Sequence, residues 1–185
     1  FNHAHSQRHA RGLQISSSGN TVQGLQVVNF PGTGIGLSGN GNTLGGNRGV
    51  GSGPMGQGNL ISGNGQWGVV VEGASANTIS GNYVGTNISG TAAFGNAWMG
   101  ITLHQGAHHN LVGGASEGEG NLISGNGTEG VSISDVGSVS NEVSGNYIGT
   151  DAAGAAALLP ASVLGAVVAS LPGSPITSED RKSVV

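Results

Sequence analysis

The sequence predicts an all-β chain wound as a three-sided parallel β-solenoid of about four to five coils, incomplete at both ends. Three observations predict it. The octapeptide Gly58–Gly65, Gly-Asn-Leu-Ile-Ser-Gly-Asn-Gly, returns unchanged at Gly120–Gly127, 62 residues later. Repeats on this scale mean stacked supersecondary units. Three short strand types recur in fixed order, divided by Gly, Asn and Ser corners. Finally, 38 of the 185 residues are Gly and only 8% are charged, a composition that suits tight corners and not helix pairs.

The first strand type is Gly-apolar-x-apolar, at Gly34–Leu37, Gly68–Val71, Gly100–Leu103 and Gly130–Ile133, with starts 34, 32 and 30 residues apart. Alternation places Val69 and Val71, Ile101 and Leu103, and Val131 and Ile133 inside, with the intervening residues outside. The second type is Asn-x-apolar, at Asn20, Asn42, Asn77, Asn110 and Asn141. The third is Gly-Asn-x-Ile/Val, at Gly58–Ile61, Gly81–Val84, Gly120–Ile123 and Gly145–Ile148. Equivalent positions then stack at the strand spacing of ~4.8 Å. Gly and Asn enter positive φ at low cost, and Asn over Asn forms amide ladders. Longer loops alternate between two corners: 47–57 and 115–119 at one, and the stretches after Thr86 and Thr150 at the other. The full repeat is therefore a coil pair.

Composition also excludes functions. Gly lacks the every-third spacing of collagen, and regularly placed β-branched residues argue against disorder. With no Cys, neither disulfides nor thiolate metal sites support the fold. Between Gly12 and Gly154 the only Lys or Arg is Arg48, against Glu72, Glu117, Glu119, Glu129, Asp135, Glu142 and Asp151. That balance argues against nucleic acid, anionic membranes and polyanionic sugars as partners. No membrane insertion is expected.

The long motif, running from Gly-Asn-Leu-Ile-Ser-Gly-Asn-Gly through Gly-Val-x-Ile to Asn-Tyr-Ile-Gly-Thr-Asp, resembles the right-handed parallel β-helix repeats of large bacterial extracellular and surface proteins. It covers roughly residues 13–157. The resemblance implies the pectate-lyase-like superfamily, a right-handed coil and an extracellular or cell-surface location. Relatives there include polysaccharide lyases, glycoside hydrolases and non-catalytic adhesins, and fold alone does not choose among them. Polygalacturonase-like enzymes carry clustered aspartates, Gly-His-Gly and Arg-x-Lys, none of which occurs here. Pectate-lyase-like enzymes carry an Arg or Lys base with calcium-binding carboxylates. The outward row Ser38, Glu72, His104, Ser134 holds no paired carboxylates for acid–base work. The expected function is a non-catalytic stalk or adhesin-like module; the alternative is a piece of a lyase or hydrolase whose catalytic residues lie elsewhere. No catalytic residue is assigned.

Candidate contact residues follow from side-chain chemistry. Trp67 and Trp98 precede the first strand of successive coils and, with His104, could stack on sugar rings, against a reading as edge packing. The expected partner is a polysaccharide or cell-surface glycan, with self-association through the open solenoid ends. No cofactor is expected; calcium is the one ion that Glu117, Glu119 and Asp151 would suit. Asn87 replaces Asp151 in the other copy, which weakens a metal role. His104, His108 and His109 read as an exposed turn more readily than as a metal site, Arg48 as a solvated arginine, and Tyr83 and Tyr147 as stacked core or corner aromatics.

The flanks differ. Residues 1–12, with His3, His5 and His9, read as a disordered fragment edge. The non-repeat stretch 158–185 reads as a cap over the open end or as a frameshifted stretch, because Glu179–Val185 matches the translation of a common sequencing adapter.

Overall fold

A computed structural model describes residues 10–158 and the strand Val167–Ala169. Fifteen strands make five complete coils, three to a coil. The first sheet stacks β1 (Leu13–Ile15), β4 (Ile35–Leu37), β7 (Val69–Glu72), β10 (Ile101–His104) and β13 (Val131–Ile133), with β16 (Val167–Ala169) on its end. The second stacks β2 (Thr21–Val22), β5 (Thr43–Gly45), β8 (Thr78–Ser80), β11 (Leu111–Gly113) and β14 (Glu142–Ser144). The third stacks β3 (Gln26–Val28), β6 (Leu60–Ser62), β9 (Tyr83–Val84), β12 (Leu122–Ile123) and β15 (Tyr147–Ile148). Neighbouring strands in all three sheets pair in parallel. This is the three-sided parallel β-solenoid that the repeat requires. The first coil supplies two strands beyond the Asn and Gly-apolar segments named above, β1 and β3.

Each sheet sends one or two columns of aliphatic side chains inward. Ile35, Val69, Ile101 and Val131 stack in register, as do Leu37, Val71, Leu103 and Ile133. Leu44, Ile79, Val112 and Val143 come from the second sheet, and Ile61, Val84, Ile123 and Ile148 from the third, all within one buried cluster. Each contributes on the order of 1.5–3 kcal/mol of burial.

Asn ladders hold all three corners. Asn77 donates from its backbone N–H (2.9 Å) and side-chain amide (3.0 Å) to Asn110 Oδ1, and Asn110 does the same to Asn141 at 3.0 Å. Asn82, Asn121 and Asn146 form a second ladder, and Asn64, Asn96 and Asn126 a third. The second amide hydrogen reaches back one coil, as from Asn121 to the Ile79 carbonyl at 2.7 Å. One Asn therefore ties three coils together. These amides are buried, so their pairing is obligatory.

Loops alternate as the coil pair requires, and the structure shows why. The loop of the second coil meets that of the fourth across a third coil with no loop there: Asn47 Nδ2 donates to the Glu117 carbonyl (2.8 Å) and the Arg48 N–H to the Gly118 carbonyl (3.0 Å). At the other corner the Ala152 N–H donates to the Gly90 carbonyl at 2.9 Å, again skipping a coil.

One expectation is corrected. Val70 and Thr102 point outward but are buried, Val70 at 0% exposure and Thr102 at 4%. The outer face of the first sheet is itself covered: the Arg11 guanidinium lies over Gly36, in register beside Val70, and is held by Glu72 on the same strand as Val70. His3, His5, His9 and nearly all of 158–185 lie outside the described residues; Arg11, at the edge of the first stretch, is held by this pair.

Candidate functional site

The outer face of the first sheet and the corner that leads into it gather Trp67, Trp98, His104 and Glu72. Parallel register places His104 of β10 beside Glu72 of β7. Glu72 is already committed: both its oxygens accept from Arg11, at 2.8 Å each, in a two-pronged pair that spans from the first coil to the third. His104 Nε2 stands 3.9 Å from Glu72 Oε1, and Nδ1 stands 3.7 Å from Asp135 Oδ2. Those separations permit charge attraction but exceed hydrogen bonding. The Asp135 carboxylate accepts the Gln105 N–H at 3.0 Å. Glu72 and Asp135 thus already have partners in the chain, whereas Glu129, whose carbonyl continues the corner row of Trp67 and Met99, has a buried Oε2 without a hydrogen-bond partner.

Beside this row stand the two tryptophans. Their rings meet edge to face, with centroids 4.7 Å apart and planes at 86°. Such pairs add about 0.5–1.5 kcal/mol beyond burial. Trp67 also faces the His104 ring at 6.2 Å. Trp98 keeps 42% of its surface exposed. The structure therefore brings Trp67, Trp98 and His104 together, with Trp67 Nε1, Thr102 Oγ1 and His104 Nε2 buried and without a hydrogen-bond partner.

Glu117, Glu119 and Asp151 serve loops. Glu119 Oε2 accepts the Ser116 N–H at 3.1 Å, and its counterpart Gln57 accepts the Asn47 N–H at 2.9 Å. Asp151 Oδ1 accepts the Ala155 N–H at 2.8 Å, as Asn87 Oδ1 accepts the Thr91 N–H at 2.9 Å. Backbone donors from Ala155 and Ala156 hold the Asp151 carboxyl below the ordinary carboxylate value. Amide and carboxylate exchange at both sites because the shared task is to accept from a backbone N–H. Among the described residues no three His, Cys, Asp or Glu are grouped to hold a metal ion. His108 and His109 contact one another, Nδ1 to Nδ1 at 3.0 Å, on an exposed turn.

Two readings of single residues are corrected. Arg48 is not simply solvated: its guanidinium lies 5.3 Å over the Tyr83 ring and donates to the Gly120 carbonyl. Burial lowers its pKa from the ordinary value, the nearby Tyr83 and Tyr147 opposing the shift. Tyr83 and Tyr147 are not core aromatics. They pair in register with Leu122 on the outer side of the third sheet, and Tyr147 is 40% exposed. Their partners Val84 and Ile148 point inward. Sequence reasoning passed over Arg11, Asp135 and Arg48 as site residues because each meets its partner from another coil. Only the Glu72–His104 register was visible, as a two-strand alignment.

Comparison of the chain with protein-family models, with characterised proteins and with solved structures returned no match. Sheet topology defines the class of protein: a parallel β-solenoid built of coil pairs, with an aromatic edge on one corner. No helix among the described residues is long and apolar enough to cross a membrane.

Proposed function

We propose that this chain is a rigid, non-catalytic stretch of a bacterial β-helix protein that is secreted or displayed at the cell surface, where it meets polysaccharide or cell-surface glycan. The pectate-lyase-like motif resemblance supports the location. The observation that carries the contact is the Trp67–Trp98 edge, in which Trp67, facing the His104 ring, supports a Trp98 that is 42% exposed. An exposed aromatic edge suits a pyranose ring, which has an apolar face. Glu72 is tied to Arg11 and Asp135 to the Gln105 N–H, which supports a binding role over acid–base chemistry for these two carboxylates. The end strands, each with one neighbour among the described residues, also support head-to-tail self-association.

A glycan array probed with the chain and with Trp98→Ala tests this reading. Binding lost in the variant, with no reducing sugar released from any bound glycan, supports it. Release of reducing sugar by the wild-type chain would replace it with the lyase or hydrolase reading. Undiminished binding by Trp98→Ala would remove the aromatic edge from the account.

A further inference from the structure

A second concave surface lies on another side of the solenoid. The loop 47–57 and the loop 115–119 wall a groove of about 810 Å³, with Tyr147 and Ala152 also lining it. Its size is that of sites for small organic ligands. Arg48, the only Lys or Arg between Gly12 and Gly154, is among its lining residues.

The state of that arginine is unusual. Its guanidinium is stacked on Tyr83 and partly withdrawn from water, and one Nη donates to the Gly120 carbonyl. Among the described residues no carboxylate stands within 4.0 Å of it, although Glu117 lines the same groove. A partly desolvated cation without a counter-charge is costly, and an anion that enters relieves that cost. The fork of a guanidinium matches a carboxylate, because two parallel N–H donors meet two oxygens. Tyr147 offers a half-open ring for the body of the ligand. One arginine neutralises one carboxylate, and Glu117 opposes a second. A polyanion therefore does not fit.

We propose that this groove binds a small monocarboxylate, with its carboxylate on the free edge of the Arg48 guanidinium and its body against Tyr147. The site is separate from the Trp67–Trp98 edge and does not depend on it.

Calorimetric titration of the chain with glucuronate and with benzoate, each beside its uncharged counterpart, glucose and benzyl alcohol, tests the proposal and separates sugar acids from other organic acids. The expected result is saturable binding of at least one acid, at least about tenfold tighter than its neutral counterpart and weakened by salt. Arg48→Gln should lose that margin, Arg48→Lys should retain part of it, and Trp98→Ala should leave it unchanged. A thermal melt of each variant reports folding. Failure of both acids to bind the wild-type chain, or equal binding of acid and neutral probes, overturns the proposal whether or not Arg48→Gln folds. A loss with Trp98→Ala instead would move the carboxylate to the aromatic edge and overturn this assignment, while leaving the glycan reading intact.

Discussion

The backbone N–H of Ala152 donates to the carbonyl of Gly90 at 2.9 Å, joining two loops separated by an entire coil. Adjacent coils lie ~4.8 Å apart at their strands, so loops on alternate coils begin about two strand spacings apart. Placing loops on alternate coils doubles the spacing and lets them touch. The same solution appears at the neighbouring corner, where Asn47 reaches Glu117. The period of 62 residues between the two copies of Gly-Asn-Leu-Ile-Ser-Gly-Asn-Gly is the length of this coil pair.

Single Asn residues of the ladders should matter strongly for stability. Replacing Asn121 with Ala removes the acceptor of Asn82, the donor to Asn146 and the donor to the Ile79 carbonyl, all buried. Leaving such groups unpaired costs about 1–3 kcal/mol each, so a loss of about 3–5 kcal/mol is expected. Asn20→Ala, at the half-buried start of a ladder, should cost about 1 kcal/mol or less. Urea unfolding at unchanged slope measures both.

Two glycines separate backbone strain from crowding. Gly81 and Gly24 have φ of +65° and +68°, so Ala at either carries the same left-handed penalty of about 1–2 kcal/mol. A Cβ on Gly81 would lie 2.0 Å from the Gly46 carbonyl oxygen, whereas one on Gly24 meets nothing within 4 Å. Gly24→Ala should fold with a modest loss, and Gly81→Ala should lose clearly more. Equal melting temperatures would remove crowding as the reason for Gly81.

The Arg11–Glu72 pair is half exposed, with side-chain exposures of 30% and 23%. Glu72→Gln should therefore lose only about 1 kcal/mol at low ionic strength, and less in molar salt. Paired thermal melts at the two salt concentrations check this. A large, salt-independent loss would point to packing over Val70 in place of charge.

Asp151 predicts an acid response. Its carboxyl is held below the ordinary value of 3.8, so the folded state favours the ionised form. The stability it adds is present above the unfolded pKa and is lost as pH falls through the folded one. Asp151→Asn, which copies Asn87, should fold normally and flatten the decline of melting temperature in that acid range. An unchanged acid profile in the variant would assign the decline to other carboxylates.

Much of the fold was legible because its determinants are local. Val69 and Val71, or Ile101 and Leu103, declare a strand and its inner face by alternation alone, and Asn77, Asn110 and Asn141 declare a corner by recurrence. Strand β3 was less visible, since the first coil lacks the third-type motif, whereas β1 was passed over although Gly12–Ile15 fits the first-type pattern. The aromatic part of the site was half legible: Trp67 and Trp98 stood out by type and equivalent position. Their polar neighbours did not, because Arg11 meets Glu72 and Asp135 meets His104 across coils whose register depends on loop lengths.

The sequence by itself determined the solenoid, its three sides, its inward columns and its coil-pair period, because each is a repeating pattern that stacking alone converts into structure. Tertiary structure decided what faces outward. It buried the outward-pointing Val70, laid Arg48 on Tyr83 and joined loops two coils apart. The physical reason is range: inward packing repeats with every coil, whereas the outer surface is built from single residues that meet once, at distances along the chain that no local pattern encodes.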